Sequence, residues 1–203
     1  MGGIIMKQKT FNTRMLVSCA VGAAISFVLM LLDFSLPIAP AFIKLDLSDL
    51  PALILAFSFG PFAGLLTELV KNLLHLLVTT TAGVGELSNF LLGCAFVVPA
   101  GLIYQRKKTR KMALLAMLAG TVCYSLVGIF SNYFIMFPFY TKVSGIPMEA
   151  IIGMCQKVLP FVDNQWKVIL LSVTPFNILK GLLVSLVTFL IYKRISPLLR
   201  GRA

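Results

Sequence analysis

Residues 50–78 read LPALILAFSFGPFAGLLTELVKNLLHLLV. As one helix rising 1.5 Å per residue the run would be about 43 Å long, well beyond the ~30 Å hydrocarbon core of a bilayer. Gly60-Pro61 lies inside it. Proline offers no N–H to the preceding turn and its ring clashes there, so the pair either kinks one long helix or separates two short ones. The number of membrane crossings depends on which.

Charge decides between them. Four other apolar runs, at 15–32, 87–104, 112–140 and 168–192, are each about as long as a crossing requires. Three basic clusters flank the runs: Lys7, Lys9 and Arg14; then Arg106, Lys107, Lys108, Arg110 and Lys111; then Lys193, Arg194, Arg200 and Arg202. No acid lies among them. Basic residues stay on the cytoplasmic side, so an even number of crossings must separate the first two clusters. A kinked helix at 50–78 makes three crossings, and a break at Gly60-Pro61 makes four. The expected fold is therefore all-α, an integral membrane bundle of six transmembrane helices with both termini cytoplasmic. The spans are expected at 14–32, 48–59, 61–78, 87–105, 112–138 and 168–193. The second is short, rising only ~18 Å. Ser48 or Asp49 is expected to cap it, with Pro51 in its first turn, and whether it crosses fully stays open.

Composition agrees. Hydrophobic residues make up 59% of the 203 and charged residues 12%, against roughly 25% charged in soluble domains. That leaves no room for a separate soluble catalytic domain, and a single membrane domain over 1–203 is expected. The net charge of +11 does not signal nucleic-acid binding, because the basic residues flank apolar runs instead of alternating with aromatics on a polar face. The run at 15–32 exceeds the about 7–15 residues of a signal-peptide core, so it is expected to be a retained span. Cys19, Cys94, Cys123 and Cys155 form no CxxC pair and read as free thiols, mostly apolar in setting.

On this topology the acids Asp33, Asp46, Asp49, Glu68, Glu86, Glu149 and Asp163 are all extracellular or intramembrane. The loops at 33–48, 79–86 and 141–167 face outward, and the last holds a short helix from Pro147-Met148-Glu149 that ends before Pro160. The long, apolar loops thus lie outside, as suits a protein that receives something from there.

Ionisable residues inside a span cost about 2.5–3.5 kcal/mol each on insertion scales, so they face a partner or a cavity. Glu68, Lys71, Asn72 and His75 recur at helical spacing as one polar stripe. The stripe is either an internally paired packing cluster or part of a ligand site. In the last span Asn177 and Lys180 stand one turn apart on a shared face. A packing contact does not need a charge, so this pair favours ligand binding: an amide and an ammonium suit the carbonyl and N–H edge of a heterocycle. Asn132 lies toward the outer end of the fifth span, and Phe42, Tyr133, Phe134 and Trp166 near the outer face could stack on a flat ligand. The first span carries Ala20 with Ala24 and Gly22 with Ser26, small residues that let another helix approach, either within the bundle or from a partner.

Several chemistries have no signature here. There is no GxxxxGK[ST] phosphate loop and no GxSxG elbow, and His75 is the single histidine, without HExxH. A metal site is not expected.

The stretches Lys44-Leu45-Asp46-Leu47-Ser48-Asp49-Leu50-Pro51-Ala52-Leu53, Phe59-Gly60-Pro61-Phe62-Ala63-Gly64 and Glu68-Leu69-Val70-Lys71-Asn72-Leu73-Leu74-His75, with the Asn177–Lys180 pair, resemble the riboflavin-specific substrate-binding subunit (S component) of bacterial energy-coupling factor (ECF) transporters. The resemblance covers essentially the whole chain. It implies a six-helix S-component fold in the cell membrane, with a high-affinity riboflavin pocket open to the outside. Riboflavin would be the transported ligand, not a cofactor. Asn132, Asn177 and Lys180 would hydrogen-bond the isoalloxazine ring, and the first outer loop, with Phe42 and Lys44, would close over it. Ala20 and Ala24 would dock on the transmembrane T component, which two cytoplasmic ATPases join, in keeping with the missing phosphate loop. The implied partners are thus riboflavin, membrane lipid, the T component and the ATPases, and no nucleic acid. Three other readings stay open: an S component for a different vitamin, an intramembrane enzyme using Glu68 and His75 as acid and base, or a structural subunit with no ligand.

Overall fold

Gly60 divides the 50–78 run into two helices. Its backbone sits at φ 113° and ψ 171°, a region that essentially only glycine occupies. Pro61 then opens the next helix, where a missing N–H costs nothing because the first turn has no acceptor for it. A computed structural model describes residues 13–35 and 43–200, with side chains as far as Ile195.

In chain order the helices are α1 (Thr13–Leu31), α2 (Asp49–Phe59), α3 (Pro61–His75, continued by a 3₁₀ turn at Leu76–Val78) and α4 (Val84–Arg106). They are followed by α5 (Arg110–Lys142), the short α6 (Met148–Gln156) and α7, which runs from Gln165 to Arg200. Between α1 and α2 the strands β1 (Phe34–Ser35) and β2 (Lys44–Leu45) pair antiparallel, with Phe34 opposite Leu45 and Ser35 opposite Lys44. α4 begins three residues before the expected span and α5 runs on to Lys142.

Among the described residues five helices are long and apolar enough to cross a membrane: α1, α3 with its 3₁₀ turn, α4, α5 and α7. At 11 residues α2 is shorter. The five long helices are neighbours in the order α1, α3, α4, α5, α7, and α2 packs inside the ring against α1, α3, α4 and α7. Residues 51–58 of α2 are buried throughout, as expected of a helix that is apolar on all sides. Phe57 stacks on Tyr104 with centroids 4.3 Å apart and meets Tyr192 edge-on at 5.6 Å. The α1–α7 seam of the ring is the weakest. There an apolar groove of about 360 Å³ opens between Val17, Val21 and Ile25 of α1 and Leu50, Ile54 and Leu55 of α2.

The Ser48 side chain makes no capping bond to α2 and instead accepts from Lys71 at 3.2 Å. The four cysteines are free; Cys19 and Cys155 are buried, and Cys94 and Cys123 are half-buried. Burial pushes the Cys155 thiol, in α6, above its ordinary range.

Candidate functional site

Two helices depart from α-geometry in matching ways. α5 is π-helical at Asn132–Met136, and α7 is π-helical at Val168–Val173. In each case a proline stands two residues beyond, Pro138 and Pro175. Each ring displaces the carbonyl four residues back and gives it no N–H, which widens the turn. The Thr174 hydroxyl donates to the Ile169 carbonyl at 2.9 Å, supplying a bond to the loosened backbone. Asn132 donates its amide to the Gly128 carbonyl at 2.8 Å. The widened segments bring Asn132, Met136 and Val173 to the wall of a single cavity.

The cavity holds about 180 Å³ and lies between α4, α5, α7 and the segment that leads into α2. Lys44, Asp46, Ser88, Asn89, Asn132, Asn177 and Lys180 supply its polar wall, and Leu92, Tyr124, Tyr140 and Phe176 its largest apolar and aromatic surfaces. Four of the residues singled out from sequence, Lys44, Asn132, Asn177 and Lys180, thus line one space. The Asn177 amide nitrogen is buried and has no hydrogen-bond partner among the described residues. It rests against Gly128, where any Cβ would collide with it.

Beside the cavity lies a buried network of charges. Lys180 donates to Asp46 Oδ2 at 2.9 Å and stands 3.5 Å from Asp49 Oδ2. Lys71 donates to Asp49 Oδ1 at 2.8 Å and lies 2.6 Å from Glu68 Oε2. Asp46 Oδ1 accepts the Ser48 N–H at 2.8 Å. Unpaired, each ion would cost several kcal/mol in so dry a place; paired, the penalty is largely offset. Glu68 and Lys71 form the internal pair that the polar stripe suggested. Asp46 and Asp49 are the partners that the stripe did not reveal. The available signal was that two lysines within apolar spans require carboxylates, and those two acids adjoin the short second span.

The rest of the stripe serves packing. Asn72 donates to the Glu68 carbonyl at 2.8 Å. His75 Nδ1 lies 2.8 Å from Glu86 Oε1, and Glu86 also accepts from Thr79 and Thr81. Glu68 and His75 therefore engage different partners. Lys44 is half-exposed and pairs with Asp33 at 3.0 Å. Phe42 lies outside the described residues. Tyr133 and Trp166 stack on each other with centroids 4.5 Å apart, Phe134 meets Tyr133 edge-on, and none of the three lines the cavity. The small residues of α1 divide by face: Gly22 and Ser26 are buried in the bundle, while Ala20 and Ala24 are exposed beside the α1–α2 groove. Among the described residues no three His, Cys, Asp or Glu side chains gather as a metal site.

Residues 14–192 match the sequence model of one family, described as ECF transporter, substrate-specific component. A Staphylococcus aureus (strain TCH60) protein named riboflavin transporter RibU is 34% identical over 189 residues, covering 93% of this chain and 94% of that one. The riboflavin transporter FmnP of Bacillus subtilis (strain 168) is 30% identical over 190 residues, covering 92% and 94%. A solved structure described as the S component of a bacterial ECF transporter superposes with a TM-score of 0.71 at 33% identity, covering 92% of this chain and 97% of that one.

Proposed function

The chain belongs to the substrate-specific components of ECF transporters, and from that membership we propose that it is the riboflavin-binding subunit of such a transporter. The observation that carries the reading is the cavity in which Lys44, Asn132, Asn177 and Lys180 meet. Its wall combines amide donors and acceptors, an ammonium and aromatic faces, which suits a flat, neutral heterocycle with an alternating polar edge. The relatives named for riboflavin support the choice of ligand. Asn177 offers a donor with no other partner, and Lys180 a second donor close by.

At about 180 Å³ the cavity is smaller than the about 300–1,000 Å³ of sites that enclose a drug-sized ligand. Riboflavin therefore requires one wall to move. The wall that is not a helix carries Ile43, Lys44 and Asp46, and it closes over the bound ring.

The family is one of transport subunits, so this multi-pass membrane protein is not an enzyme. The Glu68–His75 acid–base reading also fails on geometry, since each residue holds a different partner. We assign α1–α5 and α7 as six spans, with the basic clusters cytoplasmic and the cavity opening outward. Ala20 and Ala24, exposed on α1, offer the close-approach face for the transmembrane T component, which two cytoplasmic ATPases drive.

The test is direct. Riboflavin titrated with the detergent-purified protein should lose its fluorescence stoichiometrically, by stacking and desolvation in the cavity. Undiminished flavin fluorescence at micromolar protein overturns the ligand assignment.

A further inference from the structure

We infer that Asp46 is a positioning residue for ligand binding: it holds the Lys180 ammonium on the cavity side of the buried charge network and does not touch the ligand itself. The inference rests on the riboflavin reading of the cavity. Lysine carries its charge on a flexible four-carbon stem and needs an external group to fix it. Two carboxylates compete for that role. Asp46 lies 2.9 Å from Nζ and Asp49 3.5 Å away. Asp46 lines the cavity and Asp49 does not. Asp49 is also engaged by Lys71 at 2.8 Å, in the direction of α3. With Asp46 neutralised, Asp49 is the remaining carboxylate near Nζ, and it draws the ammonium away from the cavity.

Asp46 already has a partner on each oxygen: its Oδ1 accepts the Ser48 N–H and its Oδ2 accepts from Lys180. It follows β2 directly, so the same ion pair ties the movable wall to α7. Fixing Lys180 and seating that wall over the bound ring are therefore one contact, which the wall breaks as it opens and restores as it closes.

The experiment measures riboflavin affinity by fluorescence quenching in Asp46→Asn, Asp46→Glu, Lys180→Met and the Asp46→Asn/Lys180→Met double variant, with melting temperatures of the ligand-free proteins. Asp46→Asn should weaken binding about thirtyfold, the equivalent of about 2 kcal/mol for breaking a buried charged hydrogen bond. Asp46→Glu should regain most of that loss, because a carboxylate is again within reach of Nζ. Adding Asp46→Asn to Lys180→Met should cost nothing further, since the residue acts only through the lysine. The double variant should also melt no lower than Lys180→Met, because it removes a carboxylate that the single variant leaves unpaired. Wild-type binding in Asp46→Asn, no rescue by Asp46→Glu, or a double variant tenfold weaker than Lys180→Met overturns the inference. If Asp46→Asn does not fold, Asp46→Glu against wild type and the double against the single variant decide the matter. If wild-type protein fails to bind riboflavin, the ligand assignment falls, and a double variant melting below Lys180→Met then overturns the pairing itself.

Discussion

The side-chain amide of Asn177 packs directly against Gly128, so closely that a methyl group on Gly128 would occupy the position of the amide nitrogen. That nitrogen has no hydrogen-bond partner among the described residues. α5 and α7 thus approach at a glycine that leaves room for the Asn177 amide beside the cavity. Gly128→Ala should displace the amide and weaken riboflavin binding by about tenfold, the worth of one hydrogen bond. A helical alanine for glycine offers about 0.5–1 kcal/mol in return, so the ligand-free melting temperature should not fall in proportion. Calorimetry beside flavin titration separates the two effects. Unchanged affinity would show that the amide is not a ligand contact.

Binding and partner docking should be separable. Lys180→Ala removes a cavity donor and leaves Asp46 and Asp49 short of a counter-charge. It should weaken riboflavin binding more than Asp46→Asn does and cost about 3–5 kcal/mol of stability. Ala24→Leu changes an exposed residue of α1, and its stability should stay within about 0.5 kcal/mol of wild type. Cells carrying Ala24→Leu should bind riboflavin normally yet accumulate it poorly, because the bulk blocks helix approach. Equal losses of binding in both variants would refute this division.

The turn at Gly60 is a backbone requirement and not a packing one. Nothing lies within 4 Å of where a Cβ would stand, yet φ is +113°. Gly60→Ala should therefore destabilise by about 1–3 kcal/mol through strain alone, seen as a lower melting temperature in detergent. No loss would mean that the α2–α3 junction relaxes without penalty.

The crossing of α5 and its direction can be read by labelling. In a cysteine-free background, Ser144→Cys, in the exposed link between α5 and α6, should react with a membrane-impermeant maleimide on intact cells. Lys107→Cys, exposed between α4 and α5, should react only after permeabilisation. Labelling of both on intact cells would contradict the assigned topology.

Much of the protein was legible from local chemistry. Long apolar runs can satisfy their backbone hydrogen bonds in a bilayer only as helices, so the membrane-helical character followed from residue types, and the break at Gly60-Pro61 from those types together with the placement of the basic clusters. The Asn177–Lys180 pair and Asn132 stood out because polar groups in apolar spans are costly. Tertiary structure alone decided what those groups meet. Asp46 and Lys180 are 134 positions apart, and no pattern of period 3.6 links a loop to a helix so distant. The sequence likewise could not say that α2 sits inside a ring of five helices, that Ala20 and Ala24 face outward while Gly22 and Ser26 face inward, or that Tyr133 and Trp166 stack on each other. Each depends on which faces of separate helices are brought together, and the packing of the whole bundle sets that.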